Sequence, residues 1–130
     1  MDTAAMTAEL ASLLRQQPGL LFAVLVGSRA QGSAHEGSDW DIALQWEPDA
    51  PWLQVLGQTE ALRSQLAQAL HVAPDAVDLI DLRRANLAMR AAVAEEGLPL
   101  TGGDGLPWMH FLQRTWRELE DHYWEQDHAA

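Results

Sequence analysis

LLFAVLVGSRAQGSAHEGSDWDIAL, residues 20–44, is the segment that decides the fold of this 130-residue chain. Its first seven residues are apolar and rich in branched side chains, which predicts a buried strand. The pair Gly27-Ser28 predicts a sharp turn that opens a short helical turn, and the polar residues after it predict a loop. The apolar residues Ile42-Ala43-Leu44, directly after Asp39-Trp40-Asp41, predict a second strand.

The two aspartates of this segment indicate a chemistry. Asp39 and Asp41 are two residues apart, so on a strand both carboxylates face one side, while Trp40, Ile42 and Leu44 face the core. Neighbouring carboxylates repel each other and need a cation or a shared proton. Oxygen ligands without Cys or His favour Mg²⁺ or Mn²⁺, which often bridge carboxylates and nucleotide phosphates.

The turn before these aspartates is suited to phosphate. Gly27 lets the backbone approach a ligand closely, and the first amides of a helical turn have no partner within the helix. The Ser28 hydroxyl adds one more donor. A phosphate-binding turn beside a metal-binding pair is what nucleotidyl transfer requires. The alternative is structural: a Gly-Ser turn followed by a loop that its Ser and Asp side chains stabilise.

The spacing of these residues carries a family resemblance. Gly27-Ser28, ten further residues, and then Asp39 and Asp41 resemble the signature of the DNA polymerase β-like nucleotidyltransferase superfamily. The short chain resembles its minimal nucleotidyltransferase branch. It is most similar to the MntA-type antitoxins of HEPN/MNT toxin–antitoxin pairs, from about residue 7 to about residue 101.

This resemblance implies an enzyme and its partner. It implies a protein adenylyltransferase that transfers AMP from ATP to a tyrosine hydroxyl of a cognate HEPN ribonuclease toxin and thereby neutralises it. The residues predicted to be catalytic and to hold Mg²⁺, with two ions as the usual arrangement for such a displacement, are Asp39, Asp41 and Asp78. The predicted nucleotide-binding residues are Gly27, Ser28, Arg29 and Ser38.

The third carboxylate has two candidates. Asp78 and Asp81 are three residues apart in the apolar segment 76–82, so they face opposite sides of the predicted strand. In the family this carboxylate comes from a later strand, and the pattern Val77-Asp78-Leu79 favours Asp78, with its two apolar neighbours packed inward. Asp81 is followed by two arginines, and we expect it to form an exposed ion pair or a turn.

Three other residues of the motif leave alternatives open. Arg29 can reach a triphosphate or a partner's carboxylate, or it can anchor the loop as a surface side chain. Gln31 occupies a position where relatives commonly carry Arg. If that Arg helps to neutralise phosphate, this chain has less positive charge for that purpose. His35 is expected to be exposed rather than a catalytic base, because nothing beside it fixes its tautomer.

The rest of the chain predicts the surrounding elements. Apolar spacing predicts helices over residues 7–17, with Thr7 as N-cap, over 52–70 and over 85–96, and an edge strand at 98–100. The second helix has a leucine stripe predicted to lie in the core: Leu53, Leu56, Leu62, Leu66 and Leu70. The order of elements indicates an α/β (α+β) polymerase β-like nucleotidyltransferase fold, one mixed sheet with helices mainly on one face.

Residues 102–130 are predicted to form a linker and a C-terminal aromatic helix outside a minimal nucleotidyltransferase domain of residues 1–101. The glycines near residue 103 are typical of a flexible linker. From Pro107 onward, aromatic and apolar side chains recur at three- and four-residue steps. This helix either docks on the domain or presents its Trp and Tyr side chains to a partner.

Composition narrows the choice of partners and compartment. The net charge is -11 and all eight basic residues are Arg, which opposes direct binding of nucleic acid and favours a protein partner. The absence of cysteine excludes disulfides and thiolate metal sites. No apolar run approaches the length of a membrane span and no signal-peptide pattern is evident, so we expect a cytoplasmic protein without a membrane partner.

Two other functions remain open from the sequence. One is a small-molecule nucleotidyltransferase, like the enzymes that adenylylate aminoglycosides, whose cationic substrates the acidic surface would suit. However, a chain of 130 residues leaves little room for a drug-binding domain. The other is an antitoxin that masks its partner sterically and has a degenerate site. Replacing Asp39 and Asp41 with Ala would abolish either transfer activity and leave masking intact.

Overall fold

In the computed structural model, which describes residues 3–129, helices and strands follow one another along the chain. In order they are α1 (Thr3–Arg15), β1 (Leu20–Val26), α2 (Ser28–Gln31), β2 (Trp40–Trp46), α3 (Trp52–Leu70), a 3-10 turn (Pro74–Ala76), β3 (Val77–Asp81), α4 (Leu87–Glu96), β4 (Leu98–Thr101) and α5 (Leu106–Asp127). The predicted mixed sheet is confirmed: the strand order is β3-β2-β1-β4, with β2 and β3 parallel and the other two pairings antiparallel.

Strand β1 lies inside the sheet and is buried on both faces, as its unbroken apolar sequence predicts. Alternate residues supply two separate core clusters. One contains Ala23 and Leu25, the other Phe22, Val24 and Val26. The sheet therefore needs a cover on each face.

The helices divide between the two faces, and here the structure corrects the expectation that they lie mainly on one. The cluster on one face includes α1 and α3, through residues such as Leu10 and Leu62. The other includes α4 and α5, through Val93, Trp108 and Phe111. The physical reason is the two-sided burial of β1, which a single helical layer cannot provide.

Two local predictions are wrong. Helix α1 begins at Thr3 rather than at Thr7, because Ala4 and Ala5 are strong helix formers and Met6 packs against the core. Helix α3 has the predicted limits, but only part of its leucine stripe is buried. Leu53 is 77% exposed and Leu56 is 44% exposed, while Val55 takes the core position in the first turns.

The first half of α5 docks on the sheet. Trp108 and Phe111 stack on each other with ring centroids 5.5 Å apart, and the edge of Trp108 meets Phe22 of β1 at 5.1 Å. The predicted flexible linker is a tight turn, since a Cβ on Gly102 would overlap the Leu21 carbonyl oxygen. The domain boundary at residue 101 stays a prediction, but this part of α5 shares the core of the sheet.

The second half of α5 extends along the surface, where every residue from 120 to 127 is exposed. Among residues 3–129, no helix has the length and apolar character needed to cross a membrane.

Candidate active site

Strands β2 and β3 bring two of the predicted carboxylates together. Asp41 and Asp78 are direct partners in the parallel register of these strands, which lie about 4.8 Å apart in any sheet. Both line a cleft of about 300 Å³ at the end of β1. The choice of Asp78 over Asp81 is supported by this register. Asp81 instead forms an ion pair with Arg83 at 3.4 Å and accepts its backbone N–H, and this pair is partly buried rather than exposed as predicted.

Asp39, the third predicted carboxylate, is not among the residues that line this cleft. It precedes β2 by one residue and is exposed, and its charge is felt by Asp41. Burial raises the pKa of the Asp41 carboxyl above its ordinary value, and the charges of Asp78 and Asp39 raise it further. The site therefore favours a proton or a cation beside Asp41.

Gly27 forms the junction between β1 and this cluster. Its φ of 72° and ψ of -158° lie in a region that glycine alone adopts without strain. A Cβ at this position would overlap Oδ2 of Asp41. The backbone of the turn is thus held directly against the carboxylate, where a side chain would block the approach of a ligand.

Helix α2 begins at Ser28, as predicted, and is a single turn. The amides of Ala30 and Gln31 donate to the Gly27 carbonyl, while the first amides of such a turn have no acceptor within the helix. Gly32 ends the turn in the left-handed region with a φ of 76°. The turn therefore lies directly after the residue that packs against Asp41.

Two predicted nucleotide-binding residues are engaged in the loop. The Arg29 guanidinium donates to the Ser38 carbonyl at 2.8 Å and stacks over the Trp40 ring at 4.1 Å from its centroid. The Ser38 hydroxyl accepts a hydrogen bond from the backbone N–H of His35 at 2.9 Å. These contacts favour the alternative in which Arg29 anchors the loop that leads into Asp39. His35 is exposed, as expected.

Helix α4 supplies a wall of the cleft that the sequence analysis missed. Met89, Ala92 and Val93 form an apolar surface, and Glu96 stands at its end. The Gln31 side chain donates to the Glu96 carboxylate at 2.6 Å, so α2 and α4 are joined across the cleft. No sequence signal marks this contact, because 65 residues separate the two partners.

The donor set fits a hard divalent cation. The three aspartates offer only carboxylate oxygens, which Mg²⁺ prefers, and their mutual repulsion is what a cation would relieve. Within residues 3–129, no three acidic or histidine side chains are already gathered around one point. The chemistry of these residues fits Mg²⁺, although they are not arranged around one point in this structure.

The chain resembles known proteins in sequence. A family model described as "Polymerase beta, Nucleotidyltransferase" matches residues 8–104. The protein named protein adenylyltransferase MntA, from Aphanizomenon flos-aquae (strain 2012/KM1/D3), is 29% identical over 106 residues, which cover 79% of this chain and 71% of that protein.

Solved structures match nearly the whole chain. A crystal structure of a toxin–antitoxin with AMP-PNP has a TM-score of 0.73 and 29% identity, covering 93% of this chain and 92% of that one. A structure of tri-AMPylated Shewanella oneidensis HEPN toxin in complex with MNT antitoxin has a TM-score of 0.68 and 25% identity, with coverages of 95% and 92%. These matches extend into α5, beyond the family model.

Proposed function

Because the chain belongs to the polymerase β nucleotidyltransferase family, we propose that it is an antitoxin that transfers AMP from ATP to a tyrosine hydroxyl of a cognate HEPN-type ribonuclease toxin and so neutralises it. The observation that carries this proposal is the contact of the Gly27 turn with Asp41, which is itself the register partner of Asp78. The similar adenylyltransferase and the similar complex with an AMPylated toxin support it.

The two sides of the site have different tasks. The turn at Gly27 and Ser28 receives the outer phosphates, and Asp39 and Asp41 would act on the triphosphate through the cation that they hold. Asp78 accepts the proton of the tyrosine hydroxyl. The tyrosine oxygen then bonds to the α-phosphorus, the bond from that phosphorus to the pyrophosphate oxygen breaks, and pyrophosphate leaves. Positioning and charge neutralisation supply most of the acceleration in such reactions.

Magnesium dependence is part of the proposal. Asp39, Asp41 and Asp78 would hold Mg²⁺, in keeping with their oxygen-only chemistry. When bound, Mg²⁺ neutralises negative charge on the triphosphate and lowers the pKa of the attacking hydroxyl. We place the reaction in the cytoplasm, where ATP and a ribonuclease toxin meet.

The test is intact-mass spectrometry of the HEPN-type toxin encoded by the neighbouring open reading frame, incubated with this chain, ATP and Mg²⁺. We expect the toxin to gain the mass of one or more AMP units, and peptide mapping to locate them on tyrosine. The Asp39→Ala/Asp41→Ala double variant should give no gain.

Each other outcome has a separate meaning. A stable complex without any mass gain would overturn the transfer activity and favour steric masking. If the toxin gains no mass and forms no complex with this chain, the toxin is not the substrate. An equal gain with the double variant would remove these two residues from the mechanism.

A further inference from the structure

The cleft has no positive charge of its own, although its proposed substrate is a triphosphate. Its lining residues are Val26, Gly27, Gln31, Asp41, Asp78, Ile80, Met89, Ala92, Val93 and Glu96. Three of these are acidic and none is basic. Asp39, whose charge acts on Asp41, brings the carboxylates in or near this space to four. Sites that hold nucleotide phosphates normally include Lys or Arg.

The basic residues of the chain do not change this balance. All eight are Arg, and all lie within residues 3–129. Arg29 is held by the loop carbonyls and Trp40. Ion pairs hold Arg63, Arg83 and Arg90. Aromatic rings lie beneath the guanidinium groups of Arg84 and Arg114. Exposed helix surfaces that do not line the cleft carry Arg15 and Arg117.

Arg84 is the one arginine that lines an adjoining cavity. That cavity shares Ile80, Met89 and Ala92 with the cleft, but Gly27 and Asp41 do not line it. The Arg84 guanidinium lies 4.3 Å over the Trp52 ring. Arg84 is therefore not among the residues that line the turn proposed to receive the outer phosphates.

The neutral Gln31 and the acidic Glu96 lie beside that turn. Gln31 extends from α2 and its amide is bound to Glu96 at 2.6 Å. Glu96 adds negative charge where phosphates would sit. Two divalent cations would bring four positive charges, which offset only the four carboxylates and leave the charge of the triphosphate unopposed.

We propose that the site is completed in trans: a basic side chain of the bound HEPN-type toxin contacts the triphosphate beside Gln31 and Glu96. This inference rests on the proposed function. The toxin must bring its tyrosine to Asp78, so its surface adjoins the cleft. A ribonuclease carries basic residues to bind RNA phosphates, and they complement a chain of net charge -11. Cations supplied in trans are known in other phosphoryl transfers.

The consequence is that ATP and toxin promote each other's binding. A basic group that contacts the nucleotide only in the complex makes ATP bind more tightly to the complex than to the free antitoxin. By linkage, the antitoxin binds the toxin more tightly when ATP is present. The free antitoxin would bind ATP weakly, so it would not consume ATP without its substrate.

The experiment measures binding of Mg²⁺ and α,β-methylene-ATP, which cannot transfer AMP, by calorimetry. The full chain alone is compared with its complex with unmodified toxin. We expect affinity at least about tenfold higher in the complex, because a charge-assisted contact to phosphate is gained. Gln31→Arg should recover about tenfold in the free chain and add little in the complex. Gln31→Met, which also breaks the Glu96 contact but adds no charge, is the matched control.

Several results would overturn the inference. These are equal affinity of the free chain and the complex, or a gain from Gln31→Met equal to that from Gln31→Arg. A loss of affinity in the free chain on Arg84→Met would show that the chain provides the cation itself. A higher affinity in the complex that survives every Arg or Lys substitution at the toxin interface would also overturn it. AMP transfer is scored separately by mass spectrometry, so transfer with equal affinities would refute the inference and leave the proposed function standing.

Discussion

Gly27 lies so close to Asp41 that a Cβ on the glycine would overlap the carboxylate oxygen Oδ2. This contact places the end of β1 directly beside Asp41, the register partner of Asp78. It also explains why the residue before Ser28 has no side chain: both the left-handed φ and the lack of space require glycine.

Gly27→Ala should therefore abolish AMP transfer. We expect activity below about 1% of wild type, because a shift of Asp41 by an ångström is enough for such a loss. The strained backbone should also lower the free energy of unfolding by about 2–3 kcal/mol. Transfer is measured by toxin mass and stability by urea denaturation.

Gly32→Ala is the control for this prediction. Gly32 has a similar φ of 76°, but a Cβ there meets nothing within 4 Å. The Gly32→Ala variant should lose about 1–2 kcal/mol of stability from backbone strain alone and keep most of its transfer activity. Equal loss of activity in both variants would show that backbone strain, not the contact with Asp41, matters.

The two candidates for the third carboxylate should behave differently. Asp78→Asn should lower AMP transfer by at least about 100-fold, because it removes the acceptor for the tyrosine proton. Asp81→Asn should leave transfer within about threefold of wild type and reduce stability by about 1 kcal/mol, through loss of its contacts with Arg83. A greater loss from Asp81→Asn would contradict the assignment by strand register.

The raised pKa of Asp41 makes stability depend on pH. Folding favours the protonated carboxyl, so its contribution is present below about pH 4, the ordinary pKa of an aspartate, and is lost as pH rises through the higher folded value. Asp41→Asn should therefore raise the melting temperature at pH 7, by about 2 °C given the partial exposure of the group, and change it less at pH 4.

Melting curves in EDTA at both pH values check this, with transfer activity lost in the variant throughout. Asp49→Asn, at an exposed position in the turn before α3, is the control for the loss of one negative charge. A larger effect of Asp41→Asn at pH 4 than at pH 7 would contradict the sign of the pKa shift.

Local sequence signals predicted the parts of the fold that depend on neighbours in the chain. The apolar run of β1 and the limits of α3 follow from periodicity and from the glycine and proline residues beside them. The same signals failed for Leu53 and Leu56, because helical spacing identifies an apolar face but not which of its residues other elements cover. The distribution of helices over both faces follows from the burial of β1 on both sides, whereas the order of elements along the chain does not specify which face a helix covers.

The site was predictable where it is built from one segment. Asp39 and Asp41 were found by spacing, and Asp78 by a strand pattern together with the family resemblance. Glu96 was not, since it reaches the cleft only through packing of α4 against the sheet. For Arg29 the sequence offered two roles, and only the folded loop shows which atoms its guanidinium contacts.

Arg29→Met should loosen the loop before Asp39. We expect faster hydrogen exchange in residues 33–38 of the free chain, because the bond to the Ser38 carbonyl and the stacking on Trp40 are lost. Arg15→Met, at an exposed position at the end of α1, is the control. If exchange were unchanged while ATP binding weakened in Arg29→Met, the phosphate-binding alternative would be correct.

The two halves of α5 should separate stability from partner binding. Trp108→Ala should cost about 3–5 kcal/mol of stability, since Trp108 is 7% exposed and packs on Phe22 and Phe111. Trp124→Ala should change stability by less than about 1 kcal/mol, because Trp124 is 61% exposed and stacks on His128 near the end of the helix.

Trp124→Ala should instead weaken the complex with the toxin by about tenfold or more. Tyr123 and Trp124 are large exposed aromatic side chains set among acidic residues, the composition expected where an acidic chain meets a basic partner. Glu120→Gln, on the same helix, should lower mainly the association rate and its salt dependence. Surface plasmon resonance measures both. Unchanged affinity in Trp124→Ala would restrict the role of α5 to its docked half.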